Sequence, residues 1–181
     1  KSSISHYFSN NDKFDLIINC AAFTQVDKAE QEAELANQIN HLAVKQLASI
    51  ASNQQARLIH ISTDYVFDGE SNKPYLETDT PNPINVYGRT KLAGEKALQA
   101  LMPINAIIIR TSWLYSEYGN NFVKTMLRLG RERDELSVVN DQMGSPTYAT
   151  DLAGVILEII RHNKFRDVAQ TTQIYNYSNE G

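Results

Sequence analysis

The sequence predicts an α/β fold in which helices cover both faces of a mainly parallel sheet. Three observations carry this expectation: short apolar runs of strand length, helical apolar spacing between them, and 181 residues, enough for one domain with a core. Asp15–Cys20 (DLIINC) reads as a buried strand. From Glu30 to Ser52 the apolar residues Ala36, Ile39, Ala43, Leu47 and Ile50 recur three and four apart, the stripe of a one-faced helix. Arg57–Ser62 (RLIHIS) is a second strand. Residues 63–85 contain Gly69, Pro74, Pro81 and Pro83 and read as a long loop, a feature that in a compact domain usually serves function. Val86–Leu101 is a helix with Pro103 just past its end, and Ala106–Arg110 (AIIIR) a third strand. Asn121–Leu129 is a short helix closed by Gly130, and Leu136–Val139 a weak strand. Thr150–Arg161 is a helix with Thr150 as N-cap and Asp151 in its first turn, and Gln173–Tyr177 alternates like a strand. Ligands of such sheets bind beyond the carboxyl ends of the strands, which directs attention to the residues after Cys20, Ser62 and Arg110.

Composition removes whole classes of function. Hydrophobic residues at 42% and charged residues at 21% exclude a disordered or fibrous chain. Seventeen basic against 21 acidic residues, net −4, leave no basic face for nucleic acid. The most apolar stretch, Leu152–Ile160, is interrupted by Glu158 and far short of the ~20 residues of a membrane span. No apolar run follows Lys1, so no signal peptide is read, and Cys20 as the single cysteine fits a cytoplasmic protein with an inert, buried thiol. The chain starts without Met and stops at Gly181 on the entry to another element, as a piece of a longer protein would. His6, His41, His60 and His162 have no metal-ligand spacing, and no metal is expected. P-loop, GxSxG and GxGxxG patterns are missing from the 181 residues.

What remains is Tyr87-Gly88-Arg89-Thr90-Lys91. Tyr and Lys at i and i+4 share a helix face. An ammonium beside a phenol favours the phenolate, so Lys91 is expected to lower the pKa of Tyr87, which then exchanges a proton with a carbonyl oxygen. A half-buried helix Tyr followed by a surface Lys would give the same pattern. Ser62-Thr63-Asp64-Tyr65 places a hydroxyl at a strand end, where it could equally be a turn or N-cap hydroxyl. Asn19-Cys20-Ala21-Ala22 ends another strand with small residues, open to a flat ligand or to tight core packing.

Together, a strand ending N-x-A-A, a strand ending S-T-D, and Y-G-x-T-K-x-x-G-E opening a helix resemble the extended short-chain dehydrogenase/reductase family. The resemblance also includes DLIINCAAFTQVDKAE, HISTDYVFDG, NVYGRTKLAGEKAL, RTSWLYS and DQMGSPTYATDLA, and runs from about Asp15 to Gly181. It implies a Rossmann-like doubly wound parallel sheet, incomplete here, over residues 1–181, with segments of a small substrate-binding lobe within 112–150 and near 178–181. It implies NADPH- or NADH-dependent reduction of the C4 keto group of dTDP-4-dehydro-L-rhamnose to dTDP-L-rhamnose, for cell-surface polysaccharide. In that reading Tyr87 is the general acid, Lys91 holds the nicotinamide ribose, and Thr63 donates to the same oxygen as Tyr87. Ala21, Ala22, Phe23 and Thr24 line the cofactor, while Asp64, Tyr65 and Trp113 face the nucleotide sugar. Gln142, Gly144, Pro146 and Thr147 match a loop near the substrate. A homodimer is a further family expectation. The family's Gly-rich phosphate turn is not among these residues, so this piece alone is expected to bind cofactor poorly and to be inactive. Related dehydratases carry Asp-Glu after the Thr, where this chain has Asp64-Tyr65, which favours reduction. The alternatives are another nucleotide-sugar reductase, epimerase or dehydratase, or a non-catalytic regulatory subunit resembling that of methionine adenosyltransferase.

Overall fold

The apolar runs form the sheet the sequence anticipates. The computed structural model describes residues 3–138, 144–162, 165 and 171–180. In chain order the elements are α1 (Ser3–Ser9), β1 (Leu16–Asn19), α2 (Val26–Gln31), α3 (Ala33–Asn37), a π-helical turn (Gln38–Leu42), α4 (Ala43–Gln54), β2 (Arg57–Thr63), a 3₁₀ turn (Asp64–Val66), α5 (Val86–Leu101) and β3 (Ala106–Thr111). They continue with β4 (Leu114–Tyr115), α6 (Phe122–Glu132), β5 (Thr147–Tyr148), α7 (Ala149–Arg161) and β6 (Gln173–Tyr177). The main sheet is parallel throughout, in the order β1-β2-β3-β6, a Rossmann-like α/β arrangement.

Alternation along the strands divides the core in two. Leu58, Ala106 and Ile108 pack with Val44, Ala48, Ala51, Leu98 and Met102 under α4 and α5. Ile59, Ile107 and Ile109 pack with Leu152 and Ile156 of α7 on the opposite face. All six residues of β3 are buried, as a strand covered on both sides requires. Among the described residues no helix is long and apolar enough to cross a membrane.

Several expectations fail for local reasons. The Glu30–Ser52 helix starts earlier, at Val26, breaks at Glu32, and carries the π turn at Gln38–Leu42. Its buried row is Ala36, Asn40, Val44, Ala48 and Ala51, while Ile39, Ala43, Leu47 and Ile50 are only half-buried. The cause is the closeness of α5. A Cβ added at Gly94 would lie 2.2 Å from the Asn40 carbonyl oxygen, so the facing row admits only compact residues. The helix expected to close at Gly130 runs on to Glu132, because Gly130 keeps helical geometry and the chain turns extended only at Arg133. Tyr148, not Thr150, is the N-cap of α7, since Ala149 and Thr150 are already helical. Leu136–Val138 form no strand, and Val139 lies outside the described residues. The β4–β5 ladder and α1 were not anticipated; two-residue strands and an apolar-poor helix leave no periodic signal.

Gly94→Ala is expected to destabilise the chain by about 1–3 kcal/mol in denaturant unfolding, the usual effect of overpacking. That exceeds the ~1 kcal/mol by which Ala outranks Gly in a helix. A variant as stable as the parent would show that α5 can move off the π turn.

Candidate active site

Three strand ends and one helix converge. Beyond β1 lie Cys20–Thr24, beyond β2 the turn Asp64–Val66, and beyond β3 the segment Ser112–Trp113. The start of α5 is fixed twice: Asn85 Oδ1 accepts from Gly88 N–H (2.7 Å), and Glu30 Oε1 of α2 accepts from Val86 N–H (2.7 Å). A carboxylate at a helix N-terminus also suits the helix dipole. Gly88 lets α5 press against the 3₁₀ turn, because a Cβ there would sit 2.1 Å from the Tyr65 carbonyl oxygen. Tyr87 and Lys91, one turn apart, are thereby set beside the end of β2.

The pair differs electrostatically from the sequence reading. Lys91 is 1% exposed and donates from Nζ to the Ile61 carbonyl (2.7 Å). Burial lowers its pKa to about 8 against the opposing pull of Glu95 and Cys20. The pKa of Tyr87 is raised, not lowered: burial dominates, hydrogen bonding to Thr63 acts downward, and Asp64 and Tyr65 push it further up. The Lys91 ammonium donates to the Ile61 carbonyl, and burial outweighs every other influence on the phenol. The Thr63 hydroxyl donates to Asp64 Oδ1 (3.2 Å) and accepts from Tyr65 N–H (3.3 Å), so it is within Tyr87's reach yet engaged. Asp64 has its pKa raised, first by burial. The Tyr65 ring meets the Tyr87 ring edge-on at 5.6 Å.

Beneath the pair, His60 is fully buried and neutral, its pKa held well down by burial and then by Lys91. The Ala21 N–H donates to Asn19 Oδ1 (3.2 Å), which turns Asn19 Nδ2 towards His60 Nδ1 (3.0 Å). Nδ1 therefore accepts, and the proton resides on Nε2. Cys20 is exposed, contrary to the expected buried thiol: β1 ends at Asn19, and the next side chain falls outside the core. Its pKa is raised by desolvation, with Lys91 opposing.

Two features were missed. Asn40 holds Phe23 as a strand would: Phe23 N–H donates to Oδ1 (2.8 Å), and Nδ2 donates to Phe23 O (3.1 Å) and to Thr90 Oγ1 (3.2 Å). It thus shapes the Ala21–Thr24 segment. An Asn inside a helical run was the available signal, and π turns often mark functional sites. Glu95 and Arg110 form a buried pair, Nη2 to Oε2 at 2.7 Å, and Ser62 donates to Glu95 Oε1. Glu95 closes the Y-G-x-T-K-x-x-G-E pattern and Ser62 opens S-T-D, but the sequence does not reveal that they meet each other and Arg110.

The outer residues are partly assembled. Ala22 and Phe23 are half-buried, whereas Ala21 and Thr24 are exposed. Trp113 adopts φ +43°, rare for a bulky residue and a strain found at functional sites. Its ring lies 5.4 Å from that of Phe122 and beside Gly144, and its carbonyl accepts from Thr147 N–H (3.3 Å). Pro146 is half-buried; Thr147 is buried with its hydroxyl unpartnered among the described residues. Gln142 lies outside them.

A parallel sheet with these strand ends and this Tyr–Lys helix defines a Rossmann-like α/β protein of the short-chain dehydrogenase/reductase type. The chain belongs to the RmlD substrate binding domain family, whose model matches residues 1–181. It is 55% identical over 147 residues to the dTDP-4-dehydrorhamnose reductase of Escherichia coli strain K12, covering 81% of this chain and 49% of that protein. A Clostridium acetobutylicum dTDP-4-dehydrorhamnose reductase structure superposes with TM-score 0.88 at 44% identity, over 99% of this chain and 60% of that one. The Bacillus anthracis dTDP-4-dehydrorhamnose reductase, solved with NADP, gives TM-score 0.83 at 47% identity, over 93% of this chain and 57% of that one. The chain spans about half the length of the curated relatives it matches.

A lysine whose folded pKa lies below its unfolded one weakens the fold wherever it must be charged. This penalty is complete below pH 8 and is relieved as pH rises towards 10.5. Lys91→Met is accordingly expected to be more stable than the parent at pH 7, by at most about 3 kcal/mol. The gap narrows through that alkaline window in denaturant titrations. A difference independent of pH would contradict the burial of a charged Lys91.

Proposed function

We propose that this chain carries the catalytic core of an NADPH-dependent reductase that converts the C4 ketone of dTDP-4-dehydro-L-rhamnose to the alcohol of dTDP-L-rhamnose. The observation that carries this reading is the convergence of Thr63, Tyr87 and Lys91 at the carboxyl end of β2. The names of the similar proteins, and the NADP bound to the Bacillus anthracis relative, support the substrate and the cofactor.

The residues present fit such a cofactor. Lys91 Nζ donates to Ile61 and keeps two N–H donors for ribose hydroxyls, close to the exposed Cys20 at the mouth. Ala21, exposed, and Ala22, half-buried, present only methyl groups at the end of β1, which suits the approach of a flat ring. When bound, NADPH would supply a hydride, the hydrogen and two electrons that the carbonyl carbon takes up. Tyr87, a neutral phenol with its pKa raised, donates its proton to the C4 oxygen as charge gathers there. Thr63 has one proton, now directed at Asp64, and turns it to the same oxygen, where a fixed donor counts most. Asp64, Tyr65 and Trp113 line the sugar side. Segments within 112–150 and near 178–181 belong in this reading to the substrate lobe; the β4–β5 ladder inside the first, and the bond from Tyr148 N–H to Asn179 Oδ1 (2.6 Å) that joins it to the second, support it. Gly181 itself is outside the described residues.

In the full-length protein, Tyr87→Phe is expected to lower turnover of dTDP-4-dehydro-L-rhamnose, followed as NADPH oxidation, by roughly 10²–10⁴, the span usual for a lost general acid. Undiminished turnover would remove Tyr87 from the proton-transfer role.

A further inference from the structure

Glu95 follows Lys91 by one turn of α5 and is 1% exposed. Its carboxylate accepts from the hydroxyl of Ser62, the residue before Thr63. It also accepts from Arg110 Nε (3.1 Å) and Nη2 (2.7 Å). Ser62 and Arg110 are register partners on β2 and β3, so one carboxylate ties two strand ends to the helix that bears Tyr87 and Lys91. Arg110 is confined on its other side by the Phe67 ring, 5.1 Å from the guanidinium carbon. A buried ion pair contributes little to stability compared with an apolar pair of the same shape. The placement of this one, directly behind the site, points to a different task.

We propose, building on the reading of Tyr87 and Lys91 given above, that Glu95 is a positioning residue. Through Ser62 it fixes Thr63 against α5, and its charge keeps the Lys91 ammonium cationic, the form that donates to ribose hydroxyls. Lys91 is faced by Glu95 from α5, by Cys20 from beyond β1 and by His60 from β2. His60 is neutral, and the Cys20 thiol, pushed up by desolvation, is neutral near pH 7. Glu95 is then the one anion among these groups. Arg110, facing Glu95 from β3, orients the carboxylate and offsets part of its charge, while Glu95 still acts to raise the Lys91 pKa from one turn away on α5. Glu77 lies within electrostatic reach of Arg110 from the loop before α5.

The test is a ¹³Cε-lysine NMR titration of Lys91 in the full chain, its resonance assigned with Lys91→Met. Glu95→Gln is expected to lower the Lys91 midpoint by about one pH unit or more, the effect of losing a close opposite charge. Glu95→Asp should restore most of it. A folded Glu95→Gln chain with an unchanged midpoint overturns the proposal. Should Glu95→Gln fail to fold because Arg110 is left unpaired, Glu95→Gln combined with Arg110→Met removes that cation; a lowered midpoint supports the proposal and an unchanged one overturns it. The NMR readout needs no turnover. A shifted midpoint in a full-length protein that reduces no keto sugar would support the coupling and overturn the reductase reading alone.

Discussion

The seating of α5 against the sheet governs the geometry of everything around it. Two of its glycines face backbone oxygens at distances no side chain tolerates: Gly88 meets the turn after β2, and Gly94 meets the π turn at Asn40. Because the helix sits this deep, Lys91 reaches the Ile61 carbonyl, and Glu95 reaches both Ser62 and Arg110. Because Asn40 is drawn against Thr90, its amide is available to hold Phe23. The site is therefore a by-product of close helix–sheet packing, in which small residues at a few positions bring long polar ones to the strand ends.

Such packing buries charge, and burial sets the chemistry. Desolvation is the leading influence on Lys91, Tyr87, Asp64 and His60 alike. It raises the acids and lowers the bases, so it favours neutral forms throughout the pocket. A neutral phenol is what a proton donor to a ketone must be. Under the proposed ribose-binding role Lys91 has to stay charged, and the Glu95 carboxylate acts in that direction. The burial that keeps the Tyr87 phenol protonated also favours a neutral Lys91, which in the proposed mechanism gives a physical reason for an anion one turn behind it.

Much of this was legible in the residues. The strands β1, β2 and β3 of the main sheet read correctly because parallel strands covered on both sides are continuous apolar runs, as in AIIIR at Ala106–Arg110. Val86–Leu101 read correctly because its apolar positions and Pro103 just past its end agree. That Tyr87 and Lys91 lie one turn apart on one helix was legible because it depends only on local spacing. The Asn40 clamp was not legible, since its partners lie 17 and 50 residues away in sequence. The Ser62–Glu95–Arg110 cluster was hidden for the same reason. The apolar stripe of α4 misled because large side chains flank a close helix contact instead of filling it. The pKa of Tyr87 moves up, not down, because burial dominates it, and spacing along a helix does not reveal how deeply a phenol is buried.

The central claim is that Thr63 and Tyr87 share one substrate oxygen while Lys91 stands behind them. It is tested most directly by a crystal structure of the full-length protein with NADP and dTDP-L-rhamnose. The expected result places the C4 oxygen within about 3.2 Å of both hydroxyls, the reach of a catalytic hydrogen bond, with Thr63 turned away from Asp64. A sugar bound with its C4 oxygen out of reach of Tyr87, while another group approaches it, would contradict the assignment.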